Sequence, residues 1–485
     1  AGRGGPPRMR GLGGGYTQFL IDGQRAPIGF SIEQLTPDQV ERIEIIRAPT
    51  AETGARAIGG TINVITREGF RVRLNDVRFG FETQRGRASP NLAWTWNQPL
   101  EDLIANVSAS VFQRRQLFSS RTVTSDEDLG TGLLVREQFG SSRNEELRTG
   151  LNVTSRLQWR RESGNLLVLS PSLFHIQGTN DRRFTLDQTV GVDPAPYSTA
   201  FSEQRNRFTN ARLNGQWRQR FDNGVRAELN GGGGSWTARF GTLRNEFDAA
   251  GQGLRTFDDD GRVDEQTLNL TGKLSKLIDG NHSVVIGSEI EGSRRQEDRT
   301  TLQDGLPILT EFGENLSASS LRLALYGQNE WELSPNWSAY AGLRWEGITT
   351  RGTAPDGSQP ENVSNVTTPL LHALWKPVAG GRDQVRFSLT RSYRSPTLQN
   401  LVSRPSLSAR FPVTGPNDPT SPDRAGNSTL RPELATGLDV AIERYLPEGG
   451  VLSANLFHRR LKDYIRDVTT LETVSWSPAP RYVTP

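Results

Sequence analysis

The chain has 485 residues, no cysteine, one methionine and a formal net charge of +3. Without cysteine there is no disulfide framework and no thiolate metal site. With Lys+Arg 57 against Asp+Glu 54, no block of like charge is long enough for a nucleic-acid tail. No apolar run approaches the roughly 18–20 residues of a membrane-spanning helix. Ala1 is followed by Gly, Arg and Pro rather than the apolar core of a secretory signal, so the chain reads as mature, a fragment or not exported.

Residues 1–69 are compact, glycine-rich and lack long hairpins. "YTQFLIDGQRAP" (16–27) predicts a strand and then a turn at Asp22-Gly23. "SIEQLTPDQVERIEII" (31–46) predicts one short helix near Pro37 to Val40, leading into a strand where Val40, Ile43 and Ile45 alternate with charge. "GGTINVITR" follows the same pattern after Gly59-Gly60. Together these predict a small mixed α/β element.

From Phe70 onward the pattern has period two. In "LRLALYGQNEWEL" (321–333), Leu321, Leu323, Leu325, Trp331 and Leu333 share one face, against Arg322, Tyr326, Gln328, Glu330 and Glu332. Trp337, Ala339, Ala341, Leu343 and Trp345 oppose Ser338, Tyr340, Arg344 and Glu346 in the same way. Val385, Phe387 and Leu389 oppose Arg386, Ser388 and Thr390. Side chains alternate faces along a strand, so each strand has an apolar and a polar side.

The connections alternate too. Short turns fall at 98–102, 162–165, 222–224, 279–281, 334–336, 377–383 and 446–450. Long polar loops are expected near 116–146, 178–204, 241–263, 292–318, 350–364 and 394–432. About 16 strands result, many longer than the ~9–11 residues that cross a bilayer at a tilt. Apolar outside, polar lumen, short turns at one end and long loops at the other describe a transmembrane antiparallel β-barrel, an all-β fold. Trp331 and Trp337 flank a turn, as in an interfacial aromatic girdle. No motif of ~40–50 residues recurs as a propeller requires.

The segment "MRGLGGGYTQFLIDGQRAP … VERIEIIRAPTAETGARAIGGTINVITREG" resembles the C-terminal part of the plug of TonB-dependent outer-membrane receptors. "TRSYRSPTLQNL" (390–401) and "NSTLRPELATGLDVAIE" (427–443) resemble barrel landmarks of that family. The resemblance implies that residues 1–69 are the C-terminal part of the plug and 70–485 the N-terminal part of the barrel. Family barrels have 22 strands, and their plugs carry a TonB box that is not in this sequence. The chain therefore reads as a fragment truncated at both ends, with roughly six strands missing.

The resemblance implies location in a Gram-negative outer membrane and energy-coupled import of a scarce substrate, a ferric siderophore being the leading expectation. Cobalamin, haem, other chelates or a carbohydrate are alternatives, and a passive porin-like channel is the competing class. Haem fits less well, because no paired histidine site is visible. The implied partners are the TonB energy-transducing complex, a metal-chelate small molecule, and outer-membrane lipid with lipopolysaccharide; nucleic acid is not among them. A signalling domain before the plug would lie outside this sequence. No cofactor and no enzymatic activity are expected. His175, His282, His372 and His458 are scattered singly, and no acidic cluster has metal-ligand spacing.

By the resemblance, Arg10, Gly13, Gly14, Tyr16, Arg25, Pro27 and Phe30 sit where plug loops face substrate. Arginine there would suit an anionic chelate. Arg10 and Arg47 match plug arginines that pair with acidic residues of the barrel wall, and Asp439 occupies one such wall position. The pairs Arg114-Arg115, Arg182-Arg183 and Arg294-Arg295 fall at strand-to-loop junctions, where they could meet lipopolysaccharide phosphates or anionic substrate.

Overall fold

The structure, a computed structural model, describes the chain except residues 1–8, 10–15, 22–23, 26–39, 47, 55, 57, 67–72, 162–163, 192–193, 311–314, 354–360, 402–404, 409–410, 412–414 and 485, and the side chains of 24, 25, 398 and 399. The helix expected near 37–40 lies almost wholly outside the described residues, as does the boundary expected at 69/70.

Four strands form an N-terminal sheet: β1 (Thr17–Ile21), β2 (Gln24–Arg25), β3 (Val40–Ile46) and β4 (Gly60–Thr66). Their order is β2-β1-β4-β3, with β1 and β4 parallel and β3 and β4 antiparallel. The expected hairpin after Ile21 is present, with Leu20 opposite Arg25.

A second sheet of 16 strands makes up most of the chain. It comprises β5 (Leu74–Gln84), β6 (Arg87–Leu100), β7 (Leu103–Glu127), β8 (Leu134–Arg160), β9 (Leu166–Val190), β10 (Thr199–Arg220), β11 (Arg226–Phe247), β12 (Gly253–Ile278), β13 (His282–Gln303), β14 (Leu306–Pro307), β15 (Asn315–Ser334), β16 (Trp337–Thr353), β17 (Glu361–Trp375), β18 (Gln384–Arg394), β20 (Glu433–Tyr445) and β21 (Val451–Lys462). The order follows the sequence except that the short β14 pairs only with β13, which pairs directly with β15; the sheet is open, with β5 and β21 at its two ends. A third sheet caps the chain: β19 (Asp423–Arg424), β23 (Arg481–Thr484) and β22 (Thr470–Glu472), in that order.

The large sheet is inverted relative to a water-soluble protein. Leu321, Leu323, Leu325, Leu343 and Trp345 are exposed, while Arg322, Arg344 and Glu346 are buried. Apolar side chains on the open face are stable when lipid covers them, and a bilayer requires every backbone group to pair within the protein. The alternation anticipated from the sequence is therefore the alternation observed. Trp337 and Trp375 stack with centroids 6.1 Å apart beside the short turns, where an aromatic belt belongs.

The turns at the short end fall where expected. Asp279 and Gly280 both have positive φ (49° and 75°), which turns the chain tightly between Ile278 and its ladder partner His282. The other end differs from expectation. Two of the anticipated long loops, 116–146 and 241–263, are continuous hairpins: β7 and β8 run 25 and 27 residues and pair up to the turn at 128–133, and β11 and β12 pair up to Phe247 and Gly253. The physical reason is that past the bilayer both faces meet water. Side-chain alternation then loses its driving force while the backbone ladder continues to pay. The last of the anticipated loops, between Arg394 and Glu433, does fold irregularly and holds β19.

Candidate functional site: the interface between the N-terminal sheet and the wall

The connection from β3 to β4 is a compact turn docked on the buried face of the large sheet. The Gly54 amide donates to the Thr50 carbonyl at 3.0 Å, and the Thr50 amide donates to Thr53 Oγ1 at 2.9 Å. Gly54 sits at φ +75°, where a side chain is strained, and a Cβ there would meet the Arg344 guanidinium at 3.7 Å.

This turn presents its backbone to side chains of the wall. The Ala51 amide donates to the Tyr340 hydroxyl at 2.6 Å, and that hydroxyl donates to Gln328 Oε1 at 3.0 Å. The Glu52 amide donates to the same Gln328 oxygen at 3.0 Å. Arg344 Nη1 donates to the Ala51 carbonyl at 3.1 Å, and His372 Nε2 lies 2.9 Å from the Pro49 carbonyl. Ala51 packs among Val285, Tyr326, Tyr340 and Leu370. Tyr340→Phe leaves a buried amide with no acceptor, which costs about 1–3 kcal/mol. The expected result is a lower unfolding midpoint in detergent, with the barrel still assembled; an unchanged midpoint would contradict this bond network.

Beside the turn lies an ion cluster with three guanidinium groups and three carboxylates. Arg56 reaches Glu291 at 2.8 Å, Glu289 at 3.2 Å and Glu346 at 3.6 Å. Arg322 bonds Glu291 at 2.7 Å and Glu346 at 3.0 Å, and also contacts Glu289. Arg344 bonds Glu346 at 2.5 Å and also contacts Glu289. The Tyr393 hydroxyl donates to Glu346 as well. Glu346 is 0% exposed and Arg344 1%. Charges this deeply desolvated persist because they are mutually neutralised and hydrogen-bonded. Nearby, Glu52 pairs with Lys273 at 2.6 Å, and Lys273 with Glu228 at 3.0 Å.

Of the anticipated site residues, Tyr16 and Asp439 can be placed in full. Tyr16 is turned to the wall: its hydroxyl donates to Glu433 at 3.0 Å, Arg394 lies over its ring at 4.7 Å, and Ile58 and Ala435 pack beside it. Asp439 is buried on β20 and bonds Arg459 of β21 at 2.5 Å. Arg25 pairs in β2, while its side chain lies outside the described residues. Arg10, Gly13, Gly14, Pro27, Phe30 and Arg47 also lie outside them.

Sequence reading missed Arg56 and its carboxylates. The signal was present: Glu289 and Glu291 straddle the outward Ile290, just as Arg344 and Glu346 straddle Trp345. Paired charges on the lumen face could be read, but their partner in the distant N-terminal turn could not. The arginine pairs expected at strand-to-loop junctions lie instead inside β7, β9 and β13, because these strands continue past the bilayer, and period two sends the two members of each pair to opposite faces. Arg295, for example, turns inward to Glu265 and Glu297, whereas its neighbour Arg294 faces out.

A family model for the TonB-dependent receptor plug domain matches residues 1–61, and one for the TonB-dependent receptor-like β-barrel matches residues 154–479. The chain belongs to the TonB-dependent receptor family. The N-terminal sheet is thus the plug, the large sheet is the barrel wall, and the receptor resides in the outer membrane of a Gram-negative bacterium.

The receptor is 24% identical to the ferric enterobactin receptor of Pseudomonas aeruginosa over 94% of this chain and 61% of that one. It is 41% identical over 93 residues to the iron-regulated outer membrane virulence protein of Vibrio cholerae, covering 17% of this chain and 14% of the relative. The chain thus spans less than two thirds of the length of these relatives. A solved structure of the Pseudomonas aeruginosa ferric enterobactin receptor superposes with a TM-score of 0.57 at 17% identity, covering 98% of this chain and 68% of that one. The alcaligin receptor of Bordetella pertussis gives 0.52 at 14% identity, with coverages of 96% and 66%.

Proposed function

We propose that the full-length receptor imports a ferric siderophore across the outer membrane, driven by the TonB complex. The observation that carries this reading is the seating of the plug. Its β3–β4 turn is fixed to the inner wall by backbone hydrogen bonds and a neutralised ion cluster, so transport requires work on the plug. A passive porin has no use for such a device, which disfavours the competing class. The siderophore assignment draws on the printed names of the relatives, three of which concern ferric enterobactin, alcaligin and iron regulation.

Inward-facing arginines above the plug fit an anionic chelate. Arg299 is fixed by Asp259 at 2.8 Å, and Arg255 and Arg244 share Glu246 at 2.8 Å and 2.7 Å. Arginines held in this way form a pre-oriented polar lining with little side-chain entropy left to lose. Arg10, Gly13, Gly14, Arg25, Pro27 and Phe30 are assigned to the substrate-facing apex of the plug, and Arg10 and Arg47 to ion pairing with the wall around Asp439. Arg47→Ala is expected to loosen plug retention; unchanged retention and transport would remove that role.

The receptor's abundance in outer membranes is expected to rise when cells are starved of iron. A growth-promotion panel of ferric siderophores, cobalamin and oligosaccharides then identifies the cargo. Growth rescued by cobalamin or an oligosaccharide, and by no siderophore, would overturn the assignment.

A further inference from the structure

The wall strand β11 carries the consecutive glycines Gly231 to Gly234 in its middle, where glycine weakens a strand unless something must approach it closely. Gly231 and Gly233 face lipid, beside Leu270 and Leu268. Gly232 and Gly234 face the lumen, and the group that approaches them is the Arg212 side chain of β10. A Cβ at Gly232 would collide with Asn214 Oδ1 and lie 3.1 Å from Arg212 Nη2. A Cβ at Gly234 would lie 3.1 Å from Arg212 Cγ and 2.9 Å from the Ala211 carbonyl oxygen. Register explains the fit. Arg212 stands opposite Gly234, and Gly234 and Gly232 stand opposite Thr267 and Asn269 of β12. The guanidinium therefore crosses bare backbone to reach the second strand over.

Neutral groups hold it there. Nε donates to Asn214 Oδ1 at 2.7 Å, Nη1 to Thr267 Oγ1 at 3.3 Å, and Nη2 to Asn269 Oδ1. Each terminal nitrogen keeps a second N–H with no acceptor among the described residues, and the residue is half-buried. The one carboxylate among the described residues whose charge acts on Arg212 is Glu291, the ladder partner of Asn269. Glu291 is itself bonded to Arg56 and Arg322, in the cluster where three guanidinium groups balance three acids. Lys273 and Arg218 lie against Glu52 and Glu228 in the same balance. Arg212 is thus a positive charge in excess of the acids around it, fixed in direction and open on one side.

Its position is beside the plug. Asn269 pairs with Glu291, which Arg56 of the plug reaches, so the Arg212 guanidinium lies at the height of the ion cluster. The contacts of the β3–β4 turn described above run from Lys273 on β12 to His372 on β17. Arg212 reaches in from β10, at the border of that run. An anion passing between plug and wall on this side meets one uncompensated guanidinium, whereas the balanced ion pairs next to it offer attraction and repulsion alike.

We propose that Arg212, positioned by Gly232 and Gly234, is a guiding site for the anionic ferric chelate in the crevice between plug and wall, separate from the substrate-facing apex of the plug. The assignment rests on siderophore import by the receptor. The free N–H groups suit chelate oxygens, and a guanidinium already oriented by neutral partners loses little entropy on meeting them. The site lowers the barrier to passage at the level of the plug without adding affinity at the apex.

The test uses radiolabelled ferric enterobactin, or another ferric siderophore if the growth panel names one, and iron-starved receptor-null cells that carry the full-length receptor. Binding is measured with a protonophore present and uptake without it. Arg212→Gln is expected to bind as wild type does and to take up about tenfold or more slowly, the scale of one lost charge-assisted contact. Arg212→Lys gives up the fork but keeps the charge, and is expected to recover part of the rate, which a purely structural role would not allow. Gly232→Ala displaces the guanidinium and is expected to slow uptake. Gly233→Ala, whose Cβ would meet only Leu268 at 3.7 Å and Thr267 backbone, is expected to match wild type. Heat-modifiable migration confirms that each variant is folded. Three results would overturn this proposal alone: wild-type uptake by Arg212→Gln, an equal loss of binding and uptake in that variant, or no recovery in Arg212→Lys. A wild type that neither binds nor imports any ferric siderophore of the panel would overturn the import reading, and this assignment with it.

Discussion

Glu346→Ala is expected to unseat the plug. The side chain is fully buried and accepts from Arg322, Arg344 and Tyr393, with Arg56 at 3.6 Å. Its removal leaves three guanidinium groups facing two carboxylates away from water. Breaking one side of a buried ion pair costs about 3–5 kcal/mol, because the surviving charge is left uncompensated. The wall strands keep their backbone ladder, so the loss should fall on the plug contact rather than on the barrel. In full-length receptor in outer membranes, limited proteolysis should cut the plug faster while the barrel stays heat-modifiable. Glu346→Gln retains a hydrogen-bond acceptor without the charge and should fall between alanine and wild type. Wild-type proteolysis of both variants would show that the cluster does not hold the plug.

Asp423→Ala is expected to release the extracellular cap. Asp423 and Arg481 are both 0% exposed and bond at 2.6 Å. The same carboxylate accepts from Trp476 Nε1 at 2.8 Å and from the Ser408 amide at 2.9 Å. Arg481 also donates to the Gly415 carbonyl at 2.6 Å, so one ion pair ties the long β18–β20 loop to the C-terminal strand. Losing the carboxylate again leaves a buried, unpaired guanidinium, at about 3–5 kcal/mol. The cap is small, and Arg136 on β8 holds it to the rim through Asp418 at 2.8 Å. Local opening, read as faster amide exchange across 405–432 and 470–484, should therefore precede any change in the barrel. Unchanged exchange in those segments would contradict this account.

Much of the architecture was legible in the sequence because a lipid-facing wall writes itself as period two. The faces assigned to Leu321 through Glu332 and to Trp337 through Glu346 are those observed. The short turns were legible because Asp-Gly pairs supply the positive φ of a tight hairpin, as at Asp279-Gly280. The reach of the hairpins beyond the membrane was not. In water, polar residues such as Ser141 to Glu146 pair in a ladder without any alternation to betray it. The plug–wall contacts were legible in kind but not in partner. Arg56 sits in a glycine- and alanine-rich turn with no periodicity, and its carboxylates lie more than 230 residues away. Only docking of the N-terminal turn on the inner face of the wall brings them together.

The most direct test of the central claim is uptake of radiolabelled ferric enterobactin by iron-starved cells that carry the full-length receptor in a receptor-null background, with and without a protonophore. The account predicts saturable uptake that the protonophore abolishes and that excess ferric siderophore competes away. Uptake no greater than in the receptor-null cells across a panel of ferric siderophores, or uptake indifferent to the protonophore, would contradict it.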